Sequence, residues 1–236
     1  MKKILLGVAL LLGTLTAVGQ NIQTHYQAGR HLYKDMEKTP SFVTTVEHFK
    51  ADRWGQTFLF VDFVHTEKGI SNSYFEIARE LKFWKAPVAL HLEYNGGVDR
   101  NFSINNAYLV GASYLWTSKD FSKNFSISTS YRYDQAIEGV QDANHGMQLT
   151  AVWGWNSWNR VFTLNGFVDV WTKKASDKSH GVVVYSEPQA WINLNQLVGF
   201  HDNFNLSLGT EVRLSYNFLN PNKFYALPTL AAKWTF

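Results

Sequence analysis

The stretch "FNLSLGTEVRLSYNF" alternates apolar and polar side chains over its whole length. Phe204, Leu206, Leu208, Val212, Leu214, Tyr216 and Phe218 fall on one face, interrupted only by Thr210. Asn205, Ser207, Gly209, Glu211, Arg213, Ser215 and Asn217 fall on the other. A period of two is the signature of a strand with unlike faces. Strands of soluble domains rarely run so long. A strand that crosses a bilayer in a barrel must, turning its apolar side to lipid and its polar side to the lumen.

The same scheme recurs along the chain, at 22–32, 42–51, 56–66, 73–84, 87–96, 105–117, 123–134, 146–156, 160–172, 181–194, 202–218 and 224–236. Twelve segments satisfy the even strand count of bacterial outer-membrane barrels, and closure leaves no backbone group unpaired in lipid. The fold class expected is therefore all-β, an up-and-down antiparallel transmembrane barrel. Two residues disturb the pattern. Arg79 falls on the apolar face of "SYFEIARELKF", where a midplane charge would cost roughly 2–4 kcal/mol, so a bulge or register change is expected nearby. Pro228 interrupts the lipid face of the last segment and requires a bulge there.

Upstream of the strands the chain reads as an export leader. Lys2 and Lys3 precede an apolar run from Ile4 to Leu15, with Ala17-Val18-Gly19 as the cleavage site. That run is shorter than the roughly 20 residues a spanning helix needs. Residues 1–19 are thus expected to be removed, leaving 20–236 as the barrel. Of 22 basic side chains, Lys2 and Lys3 go with the leader, and 20 remain against 19 acidic ones. Such a balance carries no electrostatic footprint for nucleic acid. The chain has no cysteine, which excludes a lipid-modified N-terminal cysteine, disulfides and thiolate metal sites.

The connections sort into two sets. With both termini in the periplasm, that side receives "ADRWGQ", "WKAP", "TSKDFSK", "NSWN" and "LNQLVGFHD". The outer side receives longer, Gly-, Asn-, Asp- and Lys-rich loops, from "HLYKDMEKTPS" to "LNPNK". Trp54, Trp84, Trp116, Trp155, Trp158 and Trp234 all fall beside the first set, and indole rings favour that interfacial depth.

Three stretches, "FVTTVEHFKADRWGQTFLFVDF", "SYFEIARELKFW" and "SEPQAWINLN", with a last strand ending in "AKWTF", resemble the Tsx-like nucleoside-specific channel group. They resemble more closely an uncharacterised domain-of-unknown-function family allied to it. The resemblance spans the mature chain and implies a monomeric twelve-stranded outer-membrane barrel with a narrow, nucleoside-passing pore. The closing aromatic likewise resembles the signal read by the barrel-assembly machinery, which makes that machinery an expected partner through Phe236.

Strand parity points a definite set of side chains inward: Phe58, Phe60, Asp62, Glu76, Glu80, His91, Glu93, Arg132, Asp134, Tyr185, Glu187, Gln189, Trp191, Glu211 and Arg213. Glu47, Tyr74, Asn165, Asp169 and Lys233 share that side. Rings among them can stack on a flat solute, and carboxylates and amides can accept from its hydroxyls. A small polar-aromatic solute is the partner expected, alongside the lipid bilayer. Inward charges also pair with one another for purely structural reasons. A non-transporting surface receptor or structural barrel is the first alternative, and a lipid-modifying enzyme the second. Catalysis is not expected. Ser179 and His180 are adjacent and point to opposite faces of a strand, and His145 lies at a loop–strand junction. His91 and Glu93 share a face but are too few to hold a metal. No cofactor or metal is expected.

Overall fold

Alternating segments can bury their polar faces from lipid only by curling that side inward. In the computed structural model they do so and close. The structure describes residues 19–236 except 101, 102, 140, 141, 175–179, 198, 200 and 202. The leader expected at 1–19 thus lies, but for Gly19, outside the described residues.

The strands are β1 (Gln20–Tyr26), β2 (Phe42–Asp52), β3 (Gly55–Thr66), β4 (Gly69–Leu81), β5 (Val88–Asp99), β6 (Ser103–Thr117), β7 (Lys123–Asp134), β8 (Asn144–Asn156) and β9 (Phe162–Lys174). The tenth stave has two pieces, β10a (His180–Ser186) and β10b (Gln189–Asn193), followed by β11 (Leu206–Tyr216). The twelfth also has two, β12a (Phe224–Pro228) and β12b (Leu230–Thr235). Each stave pairs antiparallel with its neighbours in chain order. The ring shuts where β1 meets β12b, from Asn21 opposite Thr235 to Tyr26 opposite Leu230. The Phe236 amide donates to the Gln20 carbonyl at 3.0 Å, so both ends of the described chain lie at one rim.

Parity holds around the ring. Ile77, Leu90, Val110, Ile127, Leu149, Leu164, Leu208 and Leu230 are exposed on the outside. A largely apolar exterior of this kind suits lipid, not water. All six tryptophans flagged beside one set of turns are exposed at the rim that carries the termini. Towards the opposite rim an aromatic ladder crosses the outside: Phe75 and Tyr94 at 5.4 Å, Tyr94 and Tyr108 at 5.1 Å, Tyr108 and Tyr133 at 6.3 Å. Two aromatic belts bounding an apolar band are what a spanning barrel requires.

Two local expectations are corrected and a third is extended. No bulge accompanies Arg79, whose register runs unbroken from Thr57 on β3 to Leu92 on β5. The side chain stays outside and reaches the rim, where its Nη1 and Nη2 donate to the two Asp52 carboxylate oxygens at 2.8 and 2.9 Å. Nη1 also donates to Thr57 Oγ1 at 2.9 Å. The guanidinium thus escapes the apolar band by its own length. The β3–β4 register shift falls instead between Val64 and His65, at the other end.

The first strand ends at Tyr26, not at residue 32. Residues 27–41 form a folded loop with two 3-10 turns, Ala28–His31 and Lys34–Met36. The bend expected at Pro228 is present and has a twin. Pro188 breaks β10 just as Pro228 breaks β12, and β11 lies between them, with Val212 opposite Pro228 and its amide donating to the Pro188 carbonyl. Proline lacks the amide that would continue either ladder. At the second break the Thr229 hydroxyl accepts from the Glu211 amide at 3.0 Å, and the Thr229 amide donates to the Glu211 carbonyl at 2.8 Å.

Candidate functional site

Every side chain flagged above for the lumen lies on the inner wall. Cross-strand register carries Phe60 opposite Glu76, Asp62 opposite Tyr74, Glu80 opposite His91 and Gln189 opposite Glu211. The wall is not evenly furnished. Phe58, Phe60 and Tyr74 form a ring ladder with centroids 6.0 and 6.1 Å apart, and Phe58 is the exposed member nearest the terminal rim.

On the β4–β9 side, His91 bridges two carboxylates. Its Nδ1 lies 2.8 Å from Glu80 Oε1 and its Nε2 lies 3.1 Å from Glu93 Oε2. Ser113 donates its hydroxyl to the other Glu80 oxygen. An imidazole can donate from both nitrogens only when protonated. With the imidazole protonated, the trio is a carboxylate–imidazolium–carboxylate chain, one cation between two anions.

Next along the wall, the Tyr74 hydroxyl donates to Glu76 at 2.5 Å. Arg132 pairs with Asp134, Nε to Oδ1 at 2.9 Å, and its Nη1 donates to Gln148 at 2.6 Å. Its guanidinium lies 5.1 Å above the Trp171 ring. Thr150 donates to Asp169. Glu76 feels the charges of Glu93, Asp169 and Arg132, so this group forms one electrostatic neighbourhood.

A second group surrounds the two proline breaks. Arg213 Nε donates to Glu187 Oε1 at 3.0 Å, and the Tyr185 hydroxyl donates to the same oxygen at 2.5 Å. Gln189 donates to Glu211 at 2.8 Å and accepts from the Trp191 indole at 3.0 Å. Lys233 Nζ lies 4.1 Å over the Trp191 ring. Trp191 is only 1% exposed, with His25 edge-on at 6.1 Å. Asp62 takes a hydrogen bond from Thr45, and Glu47 one from Asn21.

Among the described residues the wall between the rims carries nine carboxylates: Glu47, Asp62, Glu76, Glu80, Glu93, Asp134, Asp169, Glu187 and Glu211. Its fixed cations there are Arg132, Arg213 and Lys233. Only Asp134 and Glu187 are paired with arginine. The other seven are held by hydroxyls, amides or His91.

The opposite mouth is narrowed by the chain itself. The loop 27–41 lays Tyr33 and Met36 on the inward-facing Tyr225 and Leu227 of β12a, making a small apolar core inside the barrel. Tyr33 and Tyr225 meet edge-on at 5.1 Å. Gly29 packs so closely that a Cβ there would fall 2.4 Å from Leu227 Cα. Asp35 Oδ2 accepts from Lys223 Nζ at 2.9 Å. That carboxyl is held below its ordinary value, first by the Tyr225 hydroxyl and then by Lys223.

Sequence parity overlooked several members of the wall. His25 and Gln23 belong to the shortest unbroken stave, where the alternation is faint. Trp171 shares parity with Asp169 and was readable from it. Asn95 shares the face of His91 and Glu93 by parity, whereas Ser113 and Gln148 are ordinary polar residues whose roles come only from their cross-strand partners. The inward loop had no periodic signal at all. Of the histidines considered for catalysis, His145 faces outward and bonds Tyr131. Ser179 lies outside the described residues, as does the side chain of His180.

A family model described as "Domain of unknown function (DUF5020)" matches residues 19–236. No functionally curated protein matches the chain. Among solved structures it is similar to the NanC porin, at 12% identity and a TM-score of 0.55, covering 92% of this chain and 98% of that one. It is also similar to the KdgM porin in complex with disordered oligogalacturonate, at 10% identity and a TM-score of 0.49, covering 93% and 99%. The likeness to NanC is one of fold, a closed twelve-stave barrel of outer-membrane porin type.

Proposed function

Because the chain belongs to the DUF5020 family, whose description carries no activity, we propose its function from the barrel itself: a narrow outer-membrane pore for passive uptake of small polar solutes. One observation carries this reading. Seven inner-wall carboxylates are held by neutral donors or histidine and not by arginine. A barrel kept only for its shape has no use for such groups, since burying a charge without a full partner is costly. A barrel that passes water and solutes can hydrate those that reach the lumen surface and use them to meet a solute. Twelve staves lie between the eight that side chains can fill and the sixteen of open channels.

Within that class, nucleosides combine a stackable base with ribose hydroxyls. The Phe58–Phe60–Tyr74 ladder suits the first, and the carboxylates and amides of Glu76, Glu187, Gln189 and Glu211 suit the second. The resemblance to Tsx-like channels favours the same solutes. The leader at 1–19 takes the chain to the periplasm, and Phe236 serves as the assembly signal at the rim, where it is exposed. The function is not enzymatic.

A second reading has its own observation in the loop 27–41, which narrows one mouth, and in the near-complete burial of Trp191. Both suit a closed surface barrel. Liposomes containing the purified barrel separate the two. Uptake of nucleosides and small sugars above protein-free vesicles is the expected result, and vesicles tight to every such solute would sink the pore. Lipid turnover in the same vesicles would favour an enzyme instead.

A further inference from the structure

We infer that the lumen selects by charge, admitting cations and neutral polar solutes and excluding anions. The inference rests on the pore reading above and adds the sign of its selectivity. Nine carboxylates face three fixed cations between the rims, and the two arginines are already spent on Asp134 and Glu187. The third cation, Lys233, lies over the Trp191 ring and leaves the carboxylates across the lumen to neutral donors. With all nine carboxylates ionised, the wall carries a negative formal charge even when His25 and His91 are both charged.

An independent observation points the same way. Asn95 is 3% exposed, faces the lumen opposite Glu76 and two residues from Glu93, and its Oδ1 has no hydrogen-bond partner. A buried carbonyl oxygen left without a donor is rare, because it forfeits its hydration. Here it sets an unfilled acceptor, like that of Asn165, just behind the surface of an acidic wall, while the unfilled donors Gln27 Nε2 and Arg30 Nε belong to the loop at the mouth. The donors that complete such a place are hydrated cations, ammonium groups and hydroxyls. A halide anion offers none of these. Rings of Asp and Glu select cations in narrow pores, and low-dielectric walls of one sign raise the local counter-ion concentration by about 10- to 1,000-fold.

The test is the reversal potential of the purified, leader-free barrel in a planar bilayer separating unequal KCl solutions. The expected result is a potassium-over-chloride permeability ratio of at least about 10. A conducting barrel that is unselective or prefers chloride overturns the inference and leaves the pore intact. A barrel that never conducts overturns the pore reading, and the inference with it. Glu76→Gln with Glu93→Gln should lower the ratio severalfold. An unchanged ratio in a variant that still migrates as a folded barrel on unheated gels overturns the assignment to this wall. Should that double variant not fold, Asp169→Asn, which keeps its acceptor oxygen for Thr150, is read against the same two outcomes.

Discussion

The Tyr225 hydroxyl donates to Asp35 Oδ2 across 2.6 Å, tying the loop after the first strand to the inner wall of the last, 190 residues away. Lys223 shares that oxygen. The carboxyl is held below its ordinary value of 3.8 and the ammonium above its ordinary 10.5. A depressed carboxyl contributes fully above its ordinary value and loses its contribution as pH falls through the lowered one. A raised ammonium contributes fully below its ordinary value and loses its contribution as pH rises through the higher one. The tie should therefore hold from about pH 5 to about pH 9 and weaken in acid. Since the chain has no cysteine, Lys38→Cys takes a single spin label on this loop. Label mobility should stay flat over that range and rise below about pH 3.8. In Asp35→Asn the acid transition should vanish; a transition unaltered by that change would place its origin elsewhere.

Gly29 tests whether the same loop limits the pore. A methyl group there meets backbone, at 2.4 Å from Leu227 Cα, so the loop must lift and the barrel wall need not. Gly29→Ala should raise single-channel conductance while leaving the unfolding midpoint in urea nearly unchanged. Equal conductance in the two proteins would mean that the constriction lies deeper, near Trp191.

His91 is the shared partner of Glu80 and Glu93. Removing one partner of a buried charge network leaves the others uncompensated, a loss of about 3–5 kcal/mol. His91→Leu should lower the unfolding free energy of the refolded barrel by that order. Adding Glu80→Gln and Glu93→Gln should recover most of the loss, because neutral amides need no counter-charge. If the triple variant is as unstable as His91→Leu alone, the loss comes from packing and not from charge.

What could be read from the chain alone follows from what alternation encodes. A period of two fixes which side of a stave a residue faces, and so it groups Glu76, Glu93, Arg213 and Trp191 on the polar faces of their strands. It says nothing of depth along the stave or of reach. Arg79 has the parity of a lipid-facing residue and keeps it; only its length and the nearness of Asp52 at the turn make it tolerable, and parity sees neither. Pro228 announces a break, but the segment read as one strand at 181–194 runs through Pro188, and nothing in the chain says that the two breaks are level on either side of Val212. The loop carrying Tyr33 and Met36 is invisible to periodicity, because its partners Tyr225 and Leu227 lie at the other end of the sequence. Asn95 looks like any lumen amide until its unfilled oxygen is found.

The Phe58–Phe60–Tyr74 ladder is the part of the wall where selectivity for flat solutes should reside. Phe58 is 37% exposed, so its removal costs little packing, and its ring can slide against an incoming base. Stacking of one base on an aromatic side chain is worth about 1–3 kcal/mol, and 1.4 kcal/mol corresponds to about a tenfold change in equilibrium constant. Replacing Phe58 and Phe60 together with Ala should therefore lower the preference for a nucleoside over a sugar of similar size by roughly tenfold. Uptake of the sugar itself should hold steady or rise as the lumen widens. The measurement is competitive uptake of adenosine and ribose into liposomes carrying each variant, normalised to folded barrel. A preference that survives both substitutions would make these rings packing for one another, and would move the search for a stacking surface to Tyr185 and Trp191 beside the proline breaks.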